Sequence, residues 1–271
     1  MSAQSGAALC AVTRRRFGLG AAIVAMGCSA QGDLAGGENG CIARVTDGDL
    51  LGLDTGLRVR LAEIEAPAPG YDTRPDEPFA AEARVLLEAA ALGRAARLWY
   101  GGLTRDDYGR ALAHVIARDE IGGDLWLNGL MVRQGAARVR TWPDNSRRAT
   151  PLLAFEEEAR TARRGLWALD HWRVRGLDDL AAAPSFSLVE GQVTDIAPSS
   201  GDGVARLLPA GIRFEVGERL GRGPAFDVGD RLRLRGRIDT RDGAPKIRVT
   251  HWAQVEVLTA VRVHVRRGDD Y

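Results

Sequence analysis

Lysine, histidine and cysteine are scarce in this sequence of 271 residues. The four histidines and three cysteines are scattered without the paired spacings of zinc ligands, which excludes a zinc finger or ribbon. With so few cysteines, a disulfide framework is not expected either. Nearly all of the basic residues are arginine, and Lys246 is the single lysine.

A surplus of basic charge is lacking as well. The chain has 37 Lys and Arg residues against 36 Asp and Glu, and removal of three N-terminal arginines would leave 34 against 36. Strong non-specific nucleic-acid binders usually carry a basic surplus, so tight binding by charge alone is not expected. The composition, 45% hydrophobic and 27% charged, is that of a globular protein of one or two domains.

The first 30 residues contain no acidic residue and no apolar run long enough to span a bilayer. Three arginines, Arg14 to Arg16, precede the short apolar run GLGAAIVAMG, which resembles a twin-arginine export signal; the alternative is a disordered basic tail. Cleavage after Ala30 and lipidation at Cys28 both fit the pattern. We therefore predict an exported protein, periplasmic or extracellular, that is held at a membrane only if Cys28 carries a lipid. Cys41 would then have no disulfide partner.

Strand patterns follow a Gly-rich segment, residues 31–40, that is predicted to be a flexible leader. The runs CIARV, LLGLD and LRVRLAEI, with a DTG turn, predict a three-strand meander. A helix is predicted over residues 79–92, and RAARLWYGG and RALAHVIAR add two strands. Five strands with a helix describe an OB-type barrel. Two further helices, predicted over residues 124–134 and 151–164, complete a domain spanning residues 41–170.

A second domain is predicted beyond a linker at residues 171–185. Residues 186–260 return to strand patterns that indicate another small OB-like β-barrel, so the predicted class is mainly β with α (α+β). Within it, arginines at 231, 233, 235 and 237 alternate with leucines, which predicts a half-buried strand with its arginines outward. This arginine row either follows a phosphate backbone or is a solvated face.

Two carboxylates and one arginine stand at the ends of neighbouring predicted strands in residues 44–67. Asp49 closes an Asp-Gly-Asp turn, and Glu65 follows Arg60 by five residues. Carboxylate oxygens suit Ca²⁺ or Mg²⁺, and a guanidinium fork suits the oxygens of a phosphate. The pattern predicts a metal and phosphate site; the alternative is an ordinary turn beside a solvated arginine.

Five motifs along the chain carry a resemblance to a known family. They are DGD at 47–49, RLAEIEAP at 60–67, DDYGR at 106–110, LMVRQGAARV at 130–139 and RGLW at 164–167. In order and spacing they resemble the staphylococcal nuclease (thermonuclease-like) family from about residue 41 to residue 167. The resemblance implies metal-dependent hydrolysis of phosphodiester bonds in DNA or RNA by a monomeric protein.

The resemblance also implies roles for single residues. Arg60 and Arg110 correspond to the two arginines that hold the scissile phosphate. The corresponding ligands of a weak Ca²⁺ site are Asp49, Glu65 and the backbone carbonyl of Ala66, with Asp47 close by.

Ala68 is the main departure from the family pattern. It stands where the family has the glutamate that activates the attacking water, and a methyl group cannot accept a proton. Weak or lost hydrolysis is expected, and the alternative is an inactive OB-type module that binds nucleic acid or protein at the cell envelope. Asp72, Asp76 and Glu77 follow in a proline-broken loop that we expect to be mobile and to position a carboxylate poorly. Trp142 either stacks a base or packs against the domain.

Overall fold

The computed structural model describes residues 33–118, 122–176, 180, 186–197, 206–207, 213–216, 223–239, 241 and 245–259. The chain divides into two compact units between Leu169 and Asp170. The predicted export signal and most of the predicted linker lie outside the described residues. In the part of the chain that is described, no helix is long and apolar enough to cross a membrane.

Eight strands form the framework of the first unit. They are β1 (Ala35–Asp47), β2 (Leu50–Leu53), β3 (Arg58–Leu61), β4 (Ile64–Glu65), β5 (Ala95–Tyr100), β6 (Ala111–Arg118), β7 (Asp124–Trp126) and β8 (Arg138–Val139). Six of them make a sheet in the order β3-β2-β1-β5-β6-β7, and β4 pairs with β8. An additional parallel pairing of β3 with β6 closes five strands on themselves. This confirms the predicted five-stranded OB barrel.

Three helices pack on this barrel, as predicted: α1 (Ala80–Ala91), α2 (Leu127–Arg133) and α3 (Ala149–Thr161). Helix α2 begins three residues later than predicted, because residues 124–126 pair with β6 as strand β7. The core joins both layers, since the barrel residues Val59 and Leu98 and the helix residues Leu87 and Met131 belong to one buried cluster.

The prediction of a flexible leader over residues 31–40 is partly wrong. Strand β1 begins at Ala35, and its first half pairs with β5, from Ala35 opposite Tyr100 to Cys41 opposite Ala95. The Tyr100 hydroxyl donates a hydrogen bond of 2.5 Å to Glu38 on this strand. The glycines were interpreted as a sign of flexibility, but their backbone pairs with β5.

The expectation of an unpaired Cys41 is also wrong for this chain, because Cys41 is disulfide-bonded. The other two cysteines, Cys10 and Cys28, lie outside the described residues. The expectation had assumed that both were removed or lipidated on export.

The second unit is a small β domain, as predicted. Its strands are β9 (Phe186–Gln192), β10 (Ile196–Ala197), β11 (Arg206–Leu207), β12 (Arg213–Val216), β13 (Arg231–Asp239), β14 (Lys246–Val249) and β15 (Val255–Thr259). The long strand β13 pairs with β9, β14 and β15. The prediction that all four β13 arginines point outward is wrong for Arg235, which is 1% exposed. Its buried charge is compensated by an ion pair with Glu256 of the neighbouring strand β15.

Candidate active site

The turn between β1 and β2 brings Asp49 against Arg60. In the β2–β3 ladder Leu50 lies opposite Arg60, and the Leu61 amide donates to the Asp49 carbonyl over 2.9 Å. The side chains then meet, with Arg60 Nη2 at 2.9 Å from Asp49 Oδ2. Gly48 allows this turn to approach helix α1, since a Cβ there would lie 2.6 Å from Ala66 Cβ and 2.8 Å from Ala83 Cβ.

Asp49 is a buried carboxylate, 1% exposed. Its Oδ2 also accepts a hydrogen bond of 2.9 Å from the Ala66 amide, whereas Oδ1 is buried without a hydrogen-bond partner. Burial raises the pKa of Asp49 to about 7 against the lowering effect of Arg60, and the carboxylates of Asp47 and Glu65 raise it further. The site therefore favours a proton or a cation beside Asp49.

Glu65 lies on β4 directly opposite Arg138 of β8. Its carboxylate forms an ion pair of 3.4 Å with Arg138 and a second, closer one with Arg140. Arg138 is 4% exposed, and burial lowers its pKa against the raising effect of Glu65 and Glu77. Arg140 in turn lies over the half-exposed ring of Trp142, with 4.7 Å between its guanidinium and the ring centroid.

Arg110 is held at the end of a turn immediately before β6. Asp106 accepts from the Tyr108 and Arg110 amides, both at 3.0 Å, and its Oδ2 lies 2.6 Å from Arg110 Nε. Arg58 on β3 donates to the Tyr108 carbonyl over 3.0 Å and ties this turn to the barrel. The Arg110 guanidinium lies 5.0 Å from the Tyr108 ring centroid.

The pairing of β3 with β6 brings Arg110 near Arg60, because Val59 lies opposite Ala111 and Arg60 opposite Leu112. Burial raises the pKa of Asp47, and both guanidinium groups act to lower it. We call this group of residues the Asp49 site; its members are Asp47, Asp49, Arg60, Glu65, Ala66 and Arg110. All five predicted catalytic and metal-ligating residues lie in it, but Ala66 contacts Asp49 through its amide.

Glu77 is close to the Asp49 site, against the expectation that its loop places carboxylates poorly. The Ala68 amide donates to Glu77 Oε2 over 2.7 Å, and the Glu77 amide donates to the Ala68 carbonyl over 2.9 Å. The loop between them is closed by reciprocal bonds between Tyr71 and Arg74, of 3.0 and 3.1 Å, and by Asp76, which accepts from the Gly70 amide.

Glu63 has a structural role beneath the site. Its φ of 63° is unusual for a residue other than glycine. The buried carboxylate accepts from the Arg148 amide at the start of α3 over 3.0 and 3.1 Å, and it lies 3.1 Å from His114 Nε2. A carboxylate there satisfies an unpaired amide and suits the helix dipole.

A preformed metal cage is not found. Among the described residues, no group of three or more His, Cys, Asp or Glu side chains is arranged to hold a metal ion. The unpaired Oδ1 of Asp49 is a suitable ligand oxygen, but Glu65 is engaged by Arg138 and Arg140. Of the predicted side-chain ligand oxygens, Asp49 Oδ1 is therefore open to a cation, whereas both oxygens of Glu65 are engaged by arginine.

The sequence pattern of the family described as "Staphylococcal nuclease homologue" matches residues 58–169. Residues 58–169 form a staphylococcal nuclease-like domain. Arg60, Glu65, Ala66 and Arg110 lie within the matched residues of this domain. Asp49 precedes them, and its assignment rests on its contacts with Arg60 and Ala66.

Similar proteins include a thermonuclease of Staphylococcus intermedius, 28% identical over 134 residues, which are 48% of this chain and 77% of that protein. A "Probable endonuclease LCL3" of Saccharomyces cerevisiae is 31% identical over 123 residues, 44% of each chain. The protein of that name in Schizophyllum commune is 32% identical over 125 residues, 42% of this chain and 41% of its own. The chain thus spans less than half of the fungal relatives.

Sequence reasoning missed Arg138 and Arg140 as partners of Glu65, and it considered Glu77 but judged it poorly positioned. The two arginines flank Val139, so the alternation of strand β8 places both on one face and could have indicated a pair. The position of Glu77 depends on how a ten-residue loop closes, and sequence spacing does not determine that.

Proposed function

We propose that this protein is an exported, thermonuclease-like phosphodiesterase that hydrolyses DNA or RNA weakly. The observation that carries the proposal is the pair of arginines beside a buried acidic group. Arg60 uses one nitrogen on Asp49, and Arg110 uses Nε on Asp106; the other guanidinium nitrogens have no hydrogen-bond partner among the described residues. Free guanidinium nitrogens can hold phosphate oxygens and stabilise the charge that develops on them.

Weak Ca²⁺ binding is part of the proposal. Asp49 Oδ1 would supply one ligand, and Glu65 Oε1 would supply another only after giving up its contact with Arg140, while Oε2 stays paired with Arg138. A cation with flexible oxygen coordination could accept such a site. The competition with arginines and the loss of a carboxylate at Ala68 support weak rather than efficient hydrolysis.

The test is digestion of single-stranded DNA and RNA by the purified protein with millimolar Ca²⁺ and then with a chelator. We expect slow cleavage that requires both the cation and Arg60. If wild type and Arg60→Ala both leave the nucleic acid intact, the protein is not a nuclease. A catalytically inactive binding module would then be the better description, since the ion pairs of Asp49 and Glu65 can maintain the site without catalysis.

Export through a twin-arginine signal is the second part of the proposal, motivated by Arg14 and Arg15 before a short apolar run. Replacing both with lysine should keep the precursor in the cytoplasm, as followed by cell fractionation. Full export of the double variant would contradict this assignment.

A further inference from the structure

We propose that Glu77 is the catalytic residue that takes the proton from the attacking water. The inference rests on the proposed nuclease function. It begins from a contrast among the carboxylates of the site: arginines pair with Asp49 and with Glu65, whereas among the described residues no arginine pairs with Glu77. Among the described residues, the carboxylate of Glu77 accepts a single hydrogen bond, from the Ala68 amide to Oε2, which leaves Oε1 able to accept a proton.

The position of Glu77 relative to Asp49 follows from the short segment between them. The Ala66 amide donates to Asp49, and the Ala68 amide, two residues on, donates to Glu77. Pro67, which has no amide proton, lies between, and the residue before a proline favours an extended conformation. At about 3.3 Å per residue, the two amides are roughly 7 Å apart. Asp49 and Glu77 therefore accept from two amides of the same short segment, two residues apart.

Contacts at the start of α1 fix Glu77 in place. Its amide donates to the Ala68 carbonyl, and its own carbonyl accepts from the Ala80 amide over 3.0 Å. The side chain is half-buried, and its charge raises the pKa of Asp47 and of Arg138. A carboxylate that is held by its backbone and by the Ala68 amide is preorganised for proton transfer.

Asp47 is the nearest rival as a proton acceptor. Its Oδ1 accepts from the adjacent Gly48 amide over 2.6 Å, so it is turned toward its own backbone. It also lies on the turn before Asp49 and not on the segment that carries Ala68. Glu77 is therefore the better-placed acceptor.

The chemical step balances without an additional reactant. The water oxygen forms a new bond to phosphorus while the bond from phosphorus to the leaving sugar oxygen breaks. Glu77 takes one proton of the water, and the leaving oxygen takes a proton from solvent. Glu77 then returns its proton to solvent, and Arg60 and Arg110 hold the phosphate oxygens throughout.

The test compares Glu77→Gln with Asp76→Asn in the full chain, using single-stranded DNA and Ca²⁺. Glutamine keeps an oxygen that can accept the Ala68 amide bond but cannot take a proton, so the loop is preserved while the chemistry is lost. We expect kcat to fall at least about 100-fold in Glu77→Gln with KM and Tm little changed. Asp76→Asn removes a neighbouring exposed carboxylate of the same loop and should stay within about twofold of wild type.

Rescue separates proton transfer from a structural role. Adding Ala68→Glu to Glu77→Gln returns a carboxylate to the segment and should recover at least about tenfold in kcat. If Glu77→Gln loses activity and Ala68→Glu does not restore it, Glu77 only supports the loop. The same conclusion would follow if Glu77→Gln abolished the Tm shift that Ca²⁺ produces in the wild type. Activity of Glu77→Gln within twofold of wild type, or a larger loss in Asp47→Asn, would overturn the inference while leaving the proposed function intact. If wild type cleaves no faster than Arg60→Ala, the proposed function fails and the inference fails with it.

Discussion

Arginines in the two units of the molecule differ in how many carboxylates they pair with. In the second unit Arg233 on β13 lies directly opposite Glu190 of β9 and Glu256 of β15. It forms ion pairs of 2.7 and 2.9 Å with them, and the two carboxylates outweigh burial and raise its pKa. Arg231 and Arg235 pair with the same two glutamates at 2.8 and 2.5 Å.

The Asp49 site has the opposite balance. Arg60 and Arg110 each pair with one aspartate through one guanidinium nitrogen. Their remaining nitrogens have no protein acceptor among the described residues. An alternating row of arginines therefore does not by itself indicate phosphate binding. What matters is the number of carboxylates placed opposite by the neighbouring strands. On β13, Arg231, Arg233 and Arg235 form a ladder of ion pairs with Glu190 and Glu256.

The largest expected effect is on the rate of DNA cleavage, which should differ between an arginine of the Asp49 site and an arginine of β13. Arg60→Ala should lower the rate of DNA cleavage by at least about 100-fold, because one charge-stabilising donor contributes roughly that factor. Arg231→Ala, which removes a paired arginine of β13, should leave the rate within about twofold. Equal losses in the two variants, measured by single-stranded DNA digestion, would show that the β13 row also contributes to the substrate site.

The barrel and the composition of the Asp49 site could be predicted from sequence because their signals are local. The alternation of apolar and polar residues located the strands. The β2–β3 register places Leu50 opposite Arg60, so Asp49 and Arg60 meet as their spacing in the sequence predicted. The pairing of Glu65 could not be predicted, since Arg138 and Arg140 arrive from a strand more than 70 residues later. Likewise, the alternation that predicted outward arginines on β13 carried no information on the neighbouring glutamates.

The next effect tests the ladder itself. Glu256→Gln removes a carboxylate from Arg233 and from Arg235, of which the latter is 1% exposed. Because Glu256 remains about one-quarter exposed, we expect a loss of about 2 kcal/mol, below the roughly 3–5 kcal/mol for a fully buried pair. For comparison, Arg241→Gln breaks a solvent-exposed pair with Asp239 and should cost much less than Glu256→Gln, because solvent screens exposed charges. Denaturant unfolding of both variants measures the difference, and similar costs would argue against an internal ladder.

A smaller effect concerns the pH dependence of stability at Asp49. Burial raises its pKa from 3.8 to about 7, so the folded protein holds a proton that the unfolded chain has released. Stability should therefore fall as the pH rises from about 4 to 7, by about 1 kcal/mol between pH 6 and 7, or about 3 °C in Tm. Asp49→Asn should remove this contribution in thermal melts at the two pH values. If Asp49→Asn leaves the pH dependence of stability unchanged, another group causes it. The first candidate is Asp47, whose pKa is also raised by burial.

The smallest expected effect concerns Arg140, the arginine of the nuclease-like domain that is used as fully as those of β13. It holds Glu65 and stacks on Trp142. Arg140→Ala should free Oε1 of Glu65 as a ligand atom beside Asp49, while Oε2 stays paired with Arg138. It also leaves more negative charge near Asp49, so Ca²⁺ should bind more tightly. A tenfold gain in affinity from the millimolar range adds roughly 1 kcal/mol at a few millimolar Ca²⁺, or about 2–3 °C in the Ca²⁺-induced Tm shift.

Arg97→Ala is the matched control for this last change, because Arg97 also stacks on a tryptophan, 4.5 Å from the ring centroid of Trp99. It forms no ion pair among the described residues, so its loss should leave the Ca²⁺-induced shift at the wild-type value. Adding Asp49→Ala to Arg140→Ala should abolish the gain, because the freed Glu65 alone cannot hold the cation. If Arg140→Ala does not increase the shift, competition with arginine is not what weakens the site. The cation, if bound, then uses oxygens other than those of Glu65.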